Sequence, residues 1–313
     1  MSDQKATRDG YGKGLVEIGK DKKVVALDAD LSESTRSAWF KEKYPDRFFD
    51  IGIAEADMIG TAAGLAACGK IVFASTFAVF ATGRTYDQIR ASVAYNKLNV
   101  RIIGSHAGLL TGEDGASHQS LEDISLMRSL PNMTVIQPAD FIEAKKAVLA
   151  SLTYKGPIYL RTGRTKLPVI FNEDHKFRIG LGIVLKKGTD ATIFATGTLV
   201  HEALKAHEAL KEQKINVNIV NIHTIKPIDK ELIIKLAKET KAIVTAEDHN
   251  IIGGLGSAVA EVLSENMPCI IERIGVKDKF GESGKSEELY EKYGLTAESI
   301  IKAVKKVMKK KVE

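Results

Sequence analysis

Apolar runs of strand length alternate with amphipathic stretches of helical period along nearly the whole chain, and this alternation restricts the fold more than any single motif does. Parallel strands need a long crossover between them, which a helix supplies, so the pattern predicts βα units on a mostly parallel sheet. The runs VVALDAD, RFFDIG, KIVFASTF, VRIIGS, NMTVIQP and GPIYLR come first. Helices are expected over residues 7–19, 34–43, 121–128 and 141–152, after Glu55, and through Tyr86, Ile89 and Val93. Residues 169–187 then lack strong periodicity and hold Asn172 and Gly180 just behind Pro168, which reads as a linker. The pattern restarts with TDATIFATGTL, INVNIVNI, KAIVTAED and CIIERIGV. A chain of 313 residues has room for two domains at roughly 150 residues each. The expected architecture is therefore α/β, with domains over 1–168 and 188–313.

Composition narrows the function classes. Hydrophobic residues make up 44% and charged residues 27%, as in a folded globular protein, and no apolar run reaches the roughly 18 residues of a membrane span. The opening MSDQKATRDG is followed by no apolar segment, so neither a signal peptide nor a membrane anchor is expected. Cys68 and Cys269 stand alone, outside any CxxC pair, which speaks against a disulfide framework or a zinc site and fits a reducing cytoplasm. The net charge of +5 is spread among interspersed Lys and Glu, apart from the C-terminal KAVKKVMKKKVE. That tail is expected to be the solvated face of a last helix; neither nucleic acid nor membrane is expected as a partner, and the mild positive balance suits phosphorylated substrates.

Several positions carry candidate chemistry. The stretch DIGIAEADMIGTAAGLAACG places Glu55 at the entrance of a helix rich in small and apolar residues. Moving a carboxyl toward such a medium disfavours its charged form, so Glu55 is suited to share a proton with a ring nitrogen; it is equally placed to complement the helix dipole. Gly60 and Gly64, among Ala62, Ala63, Ala66 and Ala67, let another backbone approach, so this helix is expected to pack closely on a neighbour or across a subunit interface. Asp28, Asp30 and Ser32 follow a strand, where α/β folds bind ligands, but also suit a helix cap. Phe77 and Phe80 read as a core pair or as a stacking platform. The loop HAGLLTGEDGASHQSLEDI gathers His106, Glu113, Asp114 and His118 among three glycines, a density of titratable groups that suits a functional loop better than a metal site of unestablished spacing. Arg161 and Arg164 end a strand and suit either a phosphate or an ion pair. GGLG, outside a first βα turn, is expected to serve strand-to-helix packing rather than phosphate binding.

Six of these segments in order, IAEADMIG, FASTFAVF, GSHAGLLTGEDGASHQSLEDISLMRSLPNMTVIQPAD, YLRTGR, HTIKPID and EDHNIIGGLG, resemble the C-terminal part of transketolase. The resemblance implies a pyrimidine-binding domain of the thiamine diphosphate fold, then a smaller α/β C-terminal domain. It implies thiamine diphosphate as cofactor and transfer of a two-carbon ketol unit from a ketose phosphate to an aldose phosphate. Glu55 matches the glutamate that contacts the aminopyrimidine and promotes loss of the thiazolium proton. Phe80, with Phe77 beside it, matches the ring-stacking aromatic, and Asp30 and Leu31 fall where the family lines the cofactor pocket. Asp114 matches the residue that reads the donor hydroxyl, and His118 the histidine that assists proton movement at the substrate oxygens. Arg8, Ser34, His106 and Arg164 match the group that holds the sugar phosphate.

Two departures qualify the match. The stretch between Phe80 and YDQIR is one residue longer than the family's, so a position often held by tyrosine falls on Gly83 or Arg84, and neither is assigned. More consequentially, the chain has no GDG followed downstream by NN, the family's Mg2+ and diphosphate signature, and GEDG lies in the substrate loop. No residue here is assigned to a metal. The implied protein is the C-terminal subunit of a split transketolase, partnered in an α2β2 assembly by an N-terminal subunit that carries GDG/NN and holds Mg2+. The beta subunit of a 2-oxoacid dehydrogenase decarboxylase component and deoxyxylulose phosphate synthase are the related alternatives; GEDGASHQ favours the sugar-phosphate branches and EDHNIIGGLG transketolase. A non-catalytic homologue would be marked by loss of Glu55, Asp114 or His118, and all three are present.

Overall fold

The computed structural model describes residues 4–312. VVALD is buried along its whole length, and its residues divide by parity. Val24 and Ala26 pack with Tyr11, Leu15, Phe73 and Val148 on one face, whereas Val25 and Leu27 pack with Met58, Ile59, Val72 and Ile89 on the other. A strand with two apolar faces belongs in a sheet covered on both sides. That sheet has seven strands in the order Thr224–Lys226, Thr134–Ile136, Ile158–Arg161, Val100–Ser105, Ile71–Phe77, Val24–Asp28 and Phe48–Asp50. All its pairs are parallel except the first. Helices Thr7–Ile18 and Phe141–Ser151 cover one face, and Glu55–Ala67 the other.

A second sheet of five strands runs Ile270–Val276, Ala242–Asn250, Ala191–Ala195, Val217–Asn221 and Ile183–Lys186, parallel but for the last pair. The protein is thus α/β with two mostly parallel sheets, as its alternation predicts. The last strand falls inside the stretch read as linker. A four-residue edge strand, half-buried at Ile183 to Leu185, is too short to display a period.

Local structure departs from the sequence pattern at three places near the strand ends. The helix expected over 34–43 is broken into Ser32–Thr35 and Ala38–Lys43 by Arg36 at φ +73°, whose guanidinium pairs with Asp9 at 2.8 Å. The helix expected through Tyr86 starts earlier and contains wide, π-type turns at Phe80–Arg84 and Ile89–Ala94. Thr224–Lys226, from the chain's second half, pairs antiparallel with Thr134–Ile136 and so extends the first sheet.

Arg161 is committed to a buried ion pair with Asp123. Its Nε and Nη2 donate to the Asp123 carboxylate at 2.7 and 3.0 Å, the Tyr159 hydroxyl donates to the same group, and both side chains are buried. Burial opposes ionisation of Asp123, but the charge and hydrogen bonds of Arg161 outweigh it and hold the carboxyl below its ordinary range. GGLG also has a structural role. A Cβ on Gly254 would lie 1.9 Å from Glu247 Oε2, and Leu255 and Gly256 N–H donate to the Glu247 carboxyl at 2.6 and 2.8 Å. The helix N-terminus is therefore filled by the chain's own carboxyl, which burial pushes up to about 7. In the basic last helix, Lys306 and Lys310 both pair with Glu272.

Breaking a buried pair on one side leaves a charge without a partner, so Arg161→Met should destabilise the protein by about 3–5 kcal/mol in urea unfolding. The double variant Asp123→Asn/Arg161→Met should recover part of that loss.

Candidate active site

The chain runs outward from Val24–Asp28 to Phe48–Asp50 and then returns to the opposite side of Val24–Asp28 with Ile71–Phe77. Such a reversal leaves a crevice beyond the carboxyl ends of the strands. Asp28 stands in register with Asp50 and Ser75, and Phe77 with Ser105, so residues distant in sequence leave the sheet side by side. Beyond these ends lie Asp30, Leu31 and Ser34, then Glu55, then Phe80, then His106.

Phe77 is the hub of the ring contacts. It stacks on His106 with centroids 4.0 Å apart and lies 6.1 Å from Phe80 at an interplanar angle of 13°. His118 turns its edge toward both, 6.0 Å from Phe77 and 5.4 Å from Phe80. The ring neighbours of this pair are histidines, and Phe80 is only partly buried, which suits a platform better than an apolar core.

Glu55 begins the helix Glu55–Ala67 and is only 5% exposed. The sequence alone leaves it bare in apolar surroundings; here its Oε1 accepts a hydrogen bond from Arg84 Nη1 at 2.9 Å. The same guanidinium lies over the Phe80 ring, 4.1 Å from its centroid. A buried carboxylate needs a partner, and the chain supplies one that no motif marked. On the same helix, Gly60 and Gly64 are exposed, and a Cβ on either would meet nothing of this chain within 4 Å.

Cationic groups gather around His106. Arg8 Nη1 donates to the Ser34 carbonyl at 2.9 Å and lies 3.2 Å from His106 Nε2. An arginine can only donate, so Nε2 accepts and Nδ1 carries the ring proton toward Ser105 Oγ at 2.9 Å. Burial lowers the His106 pKa to about 3, and Arg8, Arg164 and Arg36 add to the effect, which keeps the imidazole neutral. Arg164 Nη1 meets Asp114 Oδ2 at 3.1 Å. Arg8 Nε is buried with no hydrogen-bond partner among the described residues, a donor left unsatisfied beside His106.

Asp30 and Leu31 stand apart. Their backbone N–H groups donate to Asp50 and Asp28, but among the described residues no hydrogen bond or ring contact joins either side chain to the Phe77 group. Asp28 accepts from Leu31 N–H and the Thr35 and Ser37 hydroxyls, a turn ahead of the short helix rather than a side-chain cap on it, while burial pushes its pKa up to about 6. No group of three or more His, Cys, Asp and Glu is arranged to hold a metal ion, and no helix is long and apolar enough to cross a membrane, among the described residues.

Sequence reasoning found the turn glycines of the loop bearing Asp114 and His118 but passed over the residues that clamp it from outside. Gly108, Gly112 and Gly115 all have φ between +73° and +81°, so the turn requires them. From the chain's second half, buried Asp248 accepts from Leu109 N–H at 2.9 Å and from the Tyr290 hydroxyl at 3.0 Å. Gln119 Nε2 ties the Gly112 carbonyl to that of Glu282, at 3.0 and 2.9 Å. The available signal was the pair Glu247 and Asp248 at the end of an otherwise apolar strand.

The state of His106 is open to a solution test. With its folded pKa near 3 and an unfolded value near 6.5, its contribution to stability is intact above pH 6.5 and declines as pH falls toward 3. The decline is at most about 1.4 kcal/mol per pH unit. Unfolding free energies at pH 7 and pH 5 should therefore differ more for the unsubstituted chain than for His106→Gln.

The chain matches the transketolase pyrimidine-binding domain family over residues 3–169 and the transketolase C-terminal domain family over residues 180–300. It is 52% identical to a putative transketolase C-terminal section of Methanocaldococcus jannaschii, across 98% of this chain and 97% of that protein. It is 46% identical to a 6-deoxy-6-sulfo-D-fructose transketolase subunit of Clostridium sp., across 97% and 95%. Among solved structures it superimposes on a split gene transketolase, described as an inactive beta4 tetramer, with a TM-score of 0.92 and 50% identity over 97% of this chain and 98% of that one.

Proposed function

The chain belongs to the transketolase family, and we propose that it is the C-terminal subunit of a split transketolase, which moves a two-carbon ketol unit from a ketose phosphate to an aldose phosphate only with a separate diphosphate-binding subunit. The observation that carries this reading is the meeting of Glu55, the Phe77–Phe80 pair and two histidines at one crevice, in a chain as long as relatives described as a C-terminal section and a subunit. The description of a split relative as an inactive tetramer supports dependence on a partner.

The residues suit the pyrimidine half of thiamine diphosphate: a buried carboxyl stands beside a partly open aromatic face, the two groups a planar nitrogen heterocycle uses. When bound, that cofactor supplies the carbon nucleophile that carries the ketol unit. Glu55 would hold a proton at a ring nitrogen of the bound cofactor, and Phe80, braced by Phe77, would stack on that ring. Asp30 and Leu31, apart from the ring group in this chain, would reach the cofactor only at the far side of the crevice. His118, its Nδ1 bonded to Ser117 Oγ at 2.9 Å, leaves Nε2 to exchange a proton with a sugar oxygen. Asp114 accepts a donor hydroxyl. Arg8, Arg164 and the Ser34 segment hold the sugar phosphate around a neutral His106, so the cations there meet no further positive charge. The partner subunit brings GDG/NN, the diphosphate contacts and Mg2+, in an α2β2 assembly whose interface takes in the Gly60–Gly64 face.

The isolated chain should show no ketol transfer from xylulose 5-phosphate to ribose 5-phosphate, and activity should appear on adding the partner subunit. Transfer by the chain alone at a comparable rate refutes the split reading. In the assembled enzyme, Glu55→Ala should slow exchange of the thiazolium proton by about 10²-fold or more, as read by NMR in deuterated buffer. Near-normal exchange would remove the role given to Glu55.

A further inference from the structure

Arg84 engages two groups at once. Its Nη1 lies 2.9 Å from Glu55 Oε1, and its guanidinium carbon lies 4.1 Å from the centroid of the Phe80 ring. A guanidinium is planar and delocalised, donates hydrogen bonds at its edge and stacks by its face. An aminopyrimidine that stacks on Phe80 and bonds to Glu55 would use the same two surfaces in the same way. If the chain is a split transketolase subunit, as proposed, both ring contacts are already taken by its own side chain.

The local backbone explains how Arg84 gets there. Phe80–Arg84 is a π-type turn, which takes up one residue more than an α-turn and aims the following side chain differently. Thr82 and Thr85 hydroxyls donate to the Ala78 and Ala81 carbonyls, at 2.8 and 2.5 Å, a type of bond that competes with the backbone ladder and bends a helix. The residue in excess of the family's spacing is thus absorbed, and Arg84 comes back over Phe80. Exposure separates the two partners of the ion pair. Glu55 is 6% exposed at its side chain and needs a counter-charge, whereas Arg84 is 53% exposed and loses little packing by leaving.

The geometry points to Arg84 as an internal stand-in for the aminopyrimidine: it covers Glu55 and Phe80 in the subunit without cofactor and is displaced when the pyrimidine ring binds. Displacement then lowers the apparent affinity for the ring by the fraction of molecules in which Arg84 has moved away. The chain alone retains the ring weakly, and contacts to the diphosphate elsewhere supply the rest.

The test uses the full chain without partner and radiolabelled thiamine, which has no diphosphate, in equilibrium dialysis. Arg84→Ala and Arg84→Gln, the second keeping a neutral amide donor, should each bind thiamine at least about threefold more tightly than the unsubstituted chain. Adding Glu55→Gln or Phe80→Ala to Arg84→Ala should abolish that gain. Heat-unfolding midpoints confirm that each protein is folded. No gain in either Arg84 variant, including no detectable binding by any of the proteins, overturns the stand-in role while leaving the split transketolase function standing. A gain that survives both Glu55→Gln and Phe80→Ala overturns the placement of the pyrimidine on those residues, and the stand-in role with it.

Discussion

A parallel sheet can bury both of its faces but not the carboxyl edge where the chain changes direction, and this constraint organises the protein. Val24–Asp28 sits at the reversal, with apolar side chains shared between two cores. Its neighbours on either side come from opposite senses of winding, so their following segments diverge and leave a crevice between them. Ser34, Glu55, Phe77, Phe80 and His106 all stand on that rim. The rim residues come from separate strands, so their spacing is set by strand register rather than by loop flexibility.

Two ion pairs illustrate how burial divides structural from exchangeable charge. Arg161 and Asp123 are both enclosed, share two hydrogen bonds and are joined by Tyr159, so separating them would strand a charge in a low-dielectric interior. Arg84 and Glu55 share one hydrogen bond, and half of the arginine faces solvent. Water can re-solvate Arg84, whereas Glu55 depends on whatever replaces it. The first pair ties the sheet to the segment after the loop bearing Asp114 and His118, and Arg161 Nη2 also donates to the Ser120 carbonyl at 3.0 Å. The second leaves a place that a ligand can take.

The second sheet contributes to the crevice without reaching it. Asp248 and Tyr290 hold Leu109, and Glu282 holds Gln119, so the loop bearing Asp114 and His118 is clamped between the halves. Thr224–Lys226 completes the edge of the first sheet, and Lys226 Nζ donates to the Arg128 and Leu130 carbonyls. Relative motion of the two halves would disturb the loop geometry directly.

The strand and helix alternation, the parallel character of both sheets and the identity of most rim residues are all legible in the order of amino acids. Period-2 and period-3.6 burial are local properties, and turn glycines such as Gly108, Gly112 and Gly115 mark backbone shapes that other residues resist. Short or irregular elements were not legible: Ile183–Lys186 shows no period, and Thr224–Lys226 acquires its place only by pairing with a strand some 90 residues earlier, Thr134–Ile136. Arginine roles were not legible either, because a guanidinium reads the same in sequence whether it is enclosed or exposed. Folding in three dimensions committed Arg161 to Asp123, placed Arg8 on His106 and brought Arg84 across to Glu55 and Phe80. Periodicity is written into neighbouring residues, whereas the partner of a charge is chosen by which strand ends meet and by how much water remains between them.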